Sequence, residues 1–281
     1  MRKNAKNRFR KQTEDKESEQ MRVQVPEKKY GDNIIIKNVD IQLQRGISTL
    51  IIGTSGAGKS TLIGCIMKQG YRYISFEKGE FSTPNPRIAY VQQHPALNKG
   101  LTVREAIYFA RRFEYLFEPK RIVNQKVDEY IDMLGLRSRE HNKISQLSGG
   151  QQQRVAIAKE LIRDADILIA DEIDTGLDCG VAHALAETLT KVTKKKRIIT
   201  LVISHNVSNI QLYDKVVVLA KDNDNIGGIA YNGSPKNILR TFGVQDYYSI
   251  LTKVNLKDEG GEGLGDHFIK LANRLDNDFL S

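Results

Sequence analysis

The run Gly53-Thr54-Ser55-Gly56-Ala57-Gly58-Lys59-Ser60-Thr61 follows the apolar stretch Ser48–Ile52 and precedes the helical spacing of Leu62, Ile63 and Ile66. It satisfies the phosphate-loop pattern GxxxxGK[ST] in the setting that gives the pattern meaning, between a buried strand and a helix. Glycines let the loop wrap its backbone N–H groups around phosphate oxygens, and the following helix directs its positive end at the same place. Lys59 supplies a point charge for the β and γ oxygens, the Ser60 hydroxyl suits Mg²⁺, and Thr61 adds a phosphate contact. A chain with this unit has to place a parallel strand in a sheet and a helix against it.

Two further stretches belong to the same chemistry. Ile167-Leu168-Ile169-Ala170-Asp171-Glu172 is an apolar strand ending in two carboxylates, which are costly to bury unpartnered and therefore belong at the strand's end, near the phosphate loop. There Asp171 fits a Mg²⁺ partner and Glu172 a group that polarises attacking water. His205 ends the next strand, Ile198–Ser204, and in a doubly wound sheet emerges on the same edge, in reach of a γ-phosphate. Leu147-Ser148-Gly149-Gly150-Gln151 is a second Gly-rich turn running into a helix. Ser148 reads as its N-cap, and Gly149, Gly150 and Gln151 as a second anion cradle. Two cradles with one hydrolytic set leave a surplus half-site, so two copies are expected to share nucleotide.

Between these stretches strands alternate with helices, which implies a mainly parallel sheet. Ile34–Ile36 and Val39/Ile41/Leu43 read as two separate strands. Residues 71–91 read as short strands broken by Pro84 and Pro86. From 102 to 136 the period turns helical, with Val103, Ile107, Ala110, Phe113 and Leu116 on one face of a first helix and Val127, Tyr130, Ile131 and Leu134 in a second, stopped at Gly135. Glu259–Gly265 reads as a flexible linker to a short amphipathic piece, His267–Leu275.

Composition adds limits. Of 281 residues 40% are hydrophobic and 27% charged, ordinary for a globular protein. No apolar run approaches the ~18 residues of a membrane span, and the first residues lack the apolar core of a secretory signal. Cys65 and Cys179 offer neither a disulfide framework nor metal spacing, so a cytosolic protein is expected. The net charge of +9 is concentrated at the start, where Arg2, Lys3, Lys6, Arg8, Arg10 and Lys11 read as a disordered basic arm, a solvated tail or a contact for anionic lipid.

Taken in order, these motifs resemble the ATP-binding cassette (ABC) superfamily over residues 30–205. The resemblance makes Leu147–Gln151 the signature, Asp171-Glu172 the second Walker motif, Gly176-Leu177-Asp178 the D-loop and His205 the switch histidine. It makes Gln93, at the end of Tyr90-Val91-Gln92-Gln93, the Q-loop glutamine, and Tyr30 the aromatic that stacks on adenine. It implies an α/β fold: a RecA-like P-loop core, an antiparallel β-subdomain and an inserted helical subdomain at about 95–163. The expected division is a basic arm at 1–22, the cassette at 23–250, and a linker with a short helix at 251–281.

On this resemblance ATP and Mg²⁺ are the expected ligands. Ser60, Gln93 and Asp171 would serve the metal, and Glu172, His205 and Gln93 the hydrolysis. The loop residues, Tyr30, Asp178 and the partner's Ser148–Gln151 would hold nucleotide. A homodimer with two composite sites, a separate transmembrane permease and a place on the inner face of the cell membrane follow; nucleic acid is not expected. Leu101–Glu105, Val217–Ala220 and Gly228–Pro235 are similar to the G (White) type and point to export. A regulatory cassette, or one acting on ribosomes or nucleic acid, is the alternative. One departure stands out: where the family continues Asp-Glu-Pro-Thr or -Ser, this chain has Asp171-Glu172-Ile173-Asp174, which is expected to tune turnover.

Overall fold

The computed structural model describes residues 20–68, 73–77 and 86–278. The basic run at the start of the chain lies outside the described residues, as does Pro84. The first strand, β1 (Gln20–Tyr30), already begins at Gln20, with Met21 fully buried, so the last residues assigned to the arm belong to the sheet. β2 (Asn33–Gln44) is one strand where two were expected. Asn38 supplies the reason: it takes a positive φ of 52°, a conformation Asn tolerates, and the pairing with β1 runs on past it.

The remaining strands are β3 (Ser48–Gly53), β4 (Ile74–Glu77), β5 (Ile88–Val91), β6 (Ile167–Asp171), β7 (Ile199–Ile203), β8 (Lys215–Lys221) and β9 (Gly227–Gly233). Among the described residues they form one nine-stranded sheet in the order β4-β1-β2-β9-β8-β3-β7-β6-β5. From β8 to β5 all neighbours are parallel, whereas β4, β1 and β2 pair antiparallel. β9 joins the two halves, antiparallel to β8 and parallel to β2.

The parallel strands are apolar throughout because both faces are covered. Alternation sends Leu50 and Ile52, Leu168 and Ala170, and Val202 into one core. Ile51, Ile167, Ile169, Ile199, Leu201 and Ile203 enter the other, against helix α1 (Lys59–Lys68) and the β1–β2 pair. The helical subdomain packs on the first core. Its helices are α2 (Val103–Glu114), capped by a Thr102–Glu105 capping box, α3 (Lys120–Met133) and α4 (Gly149–Leu161).

The face of α2 differs from its predicted one. Val103 and Ile107 are buried, but Phe113 and Leu116 are 77% and 58% exposed, and the buried face runs instead through Ala106 and Arg111. Arg111 enters the interior because its guanidinium is met by Glu118, Asp164 and the Ile162 carbonyl, so the apolar periodicity breaks at a charged residue.

The C-terminal region is folded, not a linker. After α5 (Cys179–Lys196), α6 (Pro235–Phe242) and α7 (Tyr248–Val254), the glycine-rich stretch hydrogen-bonds back onto α7 and the residues just after it. Glu262 N–H donates to the Thr252 carbonyl, Gly263 N–H to Asn255 and Leu264 N–H to Lys253. A Cβ on Gly261 would lie 2.2 Å from the Asn255 carbonyl, so this glycine answers a close backbone approach. It leads into α8 (Gly265–Asp278), longer than the predicted piece, which lays Phe268 against Phe242 with ring centroids 4.4 Å apart. Among the described residues no helix is long and apolar enough to cross a membrane.

Candidate functional site

Four neighbouring parallel strands deliver the site residues to one edge of the sheet. β3 runs into the phosphate loop, β7 into Ser204 and His205, β6 ends at Asp171, and β5 leads to Gln92 and Gln93. Their register aligns Ile51 with Ile203, Ile203 with Asp171, and Ala170 with Val91, so the C-terminal ends fall in one row. This is where an open α/β sheet offers a crevice to a ligand.

The phosphate loop has the backbone its glycines allow. Gly56 and Gly58 take φ of 70° and 89°, and a Cβ on Gly58 would stand 2.1 Å from Ile36 Cγ2. Gly53 and Thr54 are buried; Ser55, Gly56 and Ser60 are exposed, Ala57 and Gly58 line the inner side, and Thr61 is half-buried. Lys59 turns back on the loop, donating to the Gly53 carbonyl at 2.9 Å and the Thr54 carbonyl at 3.0 Å. Burial pushes its pKa down, and the charges of Glu172 and Asp171 pull it partly back up, which places both carboxylates in electrostatic reach of the ammonium. The Thr54 hydroxyl is buried without a hydrogen-bond partner.

Glu172 follows directly on β6 with φ of 50°, a left-handed conformation uncommon for a side-chain-bearing residue and typical of strained functional positions. Its N–H donates to the Ile203 carbonyl at 2.9 Å, and its Oε1 lies 2.9 Å from His205 Nε2. His205 is half exposed and Glu172 is 28% exposed. Asp171 is held by a residue the motif reading passed over: Tyr90 donates its hydroxyl to Asp171 Oδ2 at 2.8 Å. Burial, and then this bond to a carboxylate, push the Tyr90 pKa up to about 12. Its signal in the sequence was slight, a tyrosine three residues before Gln93. The contact spans 81 positions.

The departure after Glu172 is also resolved. Ile173 is buried in the core, and Asp174 turns inward to accept the Ser204 hydroxyl at 2.7 Å. Gln93 is half-buried, and its carbonyl accepts the Gln153 side-chain amide at 2.6 Å, which ties this loop to α4.

Ser148, as expected, caps α4: its hydroxyl accepts the Gln151 N–H and the Gln151 side chain accepts the Ser148 N–H. The glycines of this turn answer to neighbours within the chain as well. A Cβ on Gly150 would lie 2.3 Å from Val181 Cγ1 of α5, and one on Gly149 3.3 Å from Leu177 Cδ2. Asp178 is the N-cap of α5, accepting the Val181 N–H at 2.9 Å. Tyr30 ends β1 59% exposed, with Lys28 Nζ over its ring at 5.4 Å from the centroid.

These groups fit a nucleotide triphosphate with its metal. A loop with two left-handed glycines and an orphaned Thr54 hydroxyl has unspent donors for phosphate oxygens. Ser60 Oγ, the Gln93 side chain and Asp171 are hard oxygen donors. Mg²⁺ keeps several waters and takes only one or two carboxylates, which agrees with a site holding few acids.

Residues 36–175 match the family model described as "ABC transporter". The sulfate/thiosulfate import ATP-binding protein CysA of Nocardia farcinica is 31% identical over 218 residues, 75% of this chain and 64% of the relative. The methionine import ATP-binding protein MetN 1 of Listeria monocytogenes is 33% identical over 196 residues, 66% of this chain and 57% of the relative. The chain thus spans about three fifths of the length of these curated relatives. Among solved structures, cbiO1 of Clostridium perfringens, part of the ABC transporter complex cbiONQ, superposes with a TM-score of 0.67 at 25% identity, covering 78% of this chain and 90% of that one.

Proposed function

Through its ATP-binding domain the chain belongs to the ABC transporter family, and from that premise we propose that it is the ATP-hydrolysing subunit of a membrane transporter with a separate permease. The observation that carries this reading is the convergence of Lys59, Asp171, Glu172, His205 and Gln93 at one edge of four parallel strands.

Lys59 and the loop N–H groups hold the phosphates of ATP, and Tyr30 stacks on its base. Ser60, Asp171 and Gln93 would hold Mg²⁺, which would supply positive charge to offset that of the phosphates. Glu172 orients the attacking water and takes its proton; to do so it exchanges His205 for water, freeing the imidazole for the γ-phosphate. The start of α4, where Ser148 and Gly149 are exposed, faces the nucleotide of a second copy, which makes a homodimer with two composite sites. The protein then sits on the inner face of the membrane, held by its permease.

The export direction expected from the G-type similarity finds no support in the relatives, which are named for import. Direction and cargo belong to the permease. The relatives are also named for transport, which disfavours a regulatory cassette or one acting on ribosomes or nucleic acid.

Phosphate release by the purified chain with Mg²⁺ and ATP tests the reading. Glu172→Gln should retain ATP binding and lose turnover by about 10²-fold or more. Equal turnover in the two proteins would remove Glu172 as the base. Sedimentation with ribosomes instead of membranes in the native cell would overturn the transport assignment.

A further inference from the structure

His205 stands between two residues whose backbones are fixed, and the fixing ends on Asp174. Ser204, 1% exposed, donates its hydroxyl to Asp174 Oδ2 at 2.7 Å, and Ser204 Oγ in turn accepts the Asn206 N–H at 2.8 Å. The Ser204 N–H donates to the Ile51 carbonyl of β3 at 3.2 Å, and the Glu172 N–H to the Ile203 carbonyl. The hydroxyl therefore has one proton and one engaged acceptor site, both committed, and the turn Ser204–Asn206 has one arrangement that satisfies them. His205 is the middle residue of that turn, and its ring lies 2.9 Å from Glu172.

Asp174 is an expensive residue to put there. Burial pushes its carboxyl up from its ordinary range, and the negative charge of Glu172 adds to this, while the Ser204 hydroxyl and His205 oppose it. A hydroxyl donor to a carboxylate makes a stronger bond than one to a neutral acceptor. The carboxylate thus stiffens a turn that a neutral acceptor would hold less firmly.

We propose that Asp174 is a positioning residue for His205: by accepting the Ser204 hydroxyl it fixes the Ser204–Asn206 turn and holds the imidazole where it meets Glu172 and, in turn, the γ-phosphate. The proposal rests on the ATPase reading and deepens it. It gives a physical role to the position where this chain departs from the family's sequence.

The test uses the full chain and three variants. Asp174→Ala and Ser204→Ala each lower kcat by about tenfold, the loss of one charge-assisted hydrogen bond, while the KM for ATP stays near that of the parent. Asp174→Asn keeps a carbonyl acceptor without the charge and restores part of kcat. The double variant Asp174→Ala/Ser204→Ala falls no further than either single one, because both break the same bond. Hydrogen exchange at the Asn206 amide speeds up in Asp174→Ala and slows again in part in Asp174→Asn. An unchanged kcat in Asp174→Ala, no rescue by Asp174→Asn, or losses that multiply in the double variant would each overturn the proposal. If Asp174→Ala does not fold, Ser204→Ala removes the donor of the same bond and carries the same prediction. If the parent chain itself releases no phosphate, the ATPase reading fails first. Exchange at Asn206 then decides the structural part alone, and unchanged exchange in the variants overturns it.

Discussion

Replacing Arg111 by Met puts the buried ion cluster of the helical subdomain to a quantitative test. The Arg111 side chain is 2% exposed. Its Nε and Nη2 donate to the two Glu118 carboxylate oxygens at 2.6 and 2.7 Å, and Nη1 donates to Asp164 at 2.6 Å and to the Ile162 carbonyl at 2.8 Å. The guanidinium also lies 3.5 Å from the Tyr115 ring centroid. Removing one partner of a buried ion pair costs about 3–5 kcal/mol, because the other charge stays buried and unpaired. Here Asp164 is 47% exposed and keeps Lys126 at 3.4 Å, so it can rehydrate, whereas Glu118 is only 17% exposed with Lys126 farther off at 3.9 Å, and the Ile162 carbonyl belongs to a fully buried residue. Met refills the volume of the aliphatic stem. The lower end of the range, about 3 kcal/mol, is therefore expected. For a chain of 281 residues that corresponds to a fall in Tm of roughly 5 °C in thermal unfolding at neutral pH.

The pH dependence has a definite sign. Arg111 holds the Glu118 carboxyl below its ordinary range. For Asp164 burial alone would act upward, but the hydrogen bond and charge of Arg111 carry it below. Both carboxyls have depressed pKa values in the fold, so their contribution is complete above the ordinary carboxylate range. It is lost as pH falls through the depressed values. The gap in Tm between the parent and Arg111→Met should narrow in acid. A fall of less than about 3 °C at neutral pH, or a gap that does not change with pH, would refute the reasoning.

Other expectations concern the site. Gly150→Ala should destabilise the chain by about 1–3 kcal/mol through its clash with Val181, and Val181→Ala should restore the Tm; a parent-like Tm for the single variant would show that the α4–α5 contact yields. Lys59→Ala and Ser148→Arg should each abolish turnover, and mixing them should recover part of it, since one heterodimeric site is then intact. No recovery on mixing, or full recovery, would contradict shared sites. Tyr90→Phe frees Asp171 Oδ2, so the Mg²⁺ concentration for half-maximal turnover should rise by about tenfold, as for other residues that orient metal ligands; an unchanged Mg²⁺ titration would remove Tyr90 from that role.

The sequence by itself determined whatever is local in the chain. Gly53–Thr61, the apolar run closed by Asp171-Glu172, and the Ser148 cap all depend on residues within a turn or two of each other, and their periodicity and glycine placement specify strand, loop and helix. Strand–helix alternation then required parallel strands whose C-terminal ends share an edge, so the row of the phosphate loop, Asp171 and His205 was legible from the order of motifs along the chain, while Gln93 came from the family resemblance. Tertiary structure decided what depends on contacts between distant residues. Arg111 enters the α2 core because Glu118 and Asp164 meet it there, and this turns Phe113 and Leu116 to solvent. The glycine-rich stretch after Glu259 builds a hydrogen-bonded turn because α7 and the residues just after it supply the carbonyls, whereas composition alone reads it as flexible. Tyr90 reaches Asp171, Glu172 meets His205 and Asp174 holds Ser204 across 81, 33 and 30 positions. No pattern along the chain encodes those pairs: burial makes an unpartnered polar group costly, and only the assembled sheet edge brings the partners within reach.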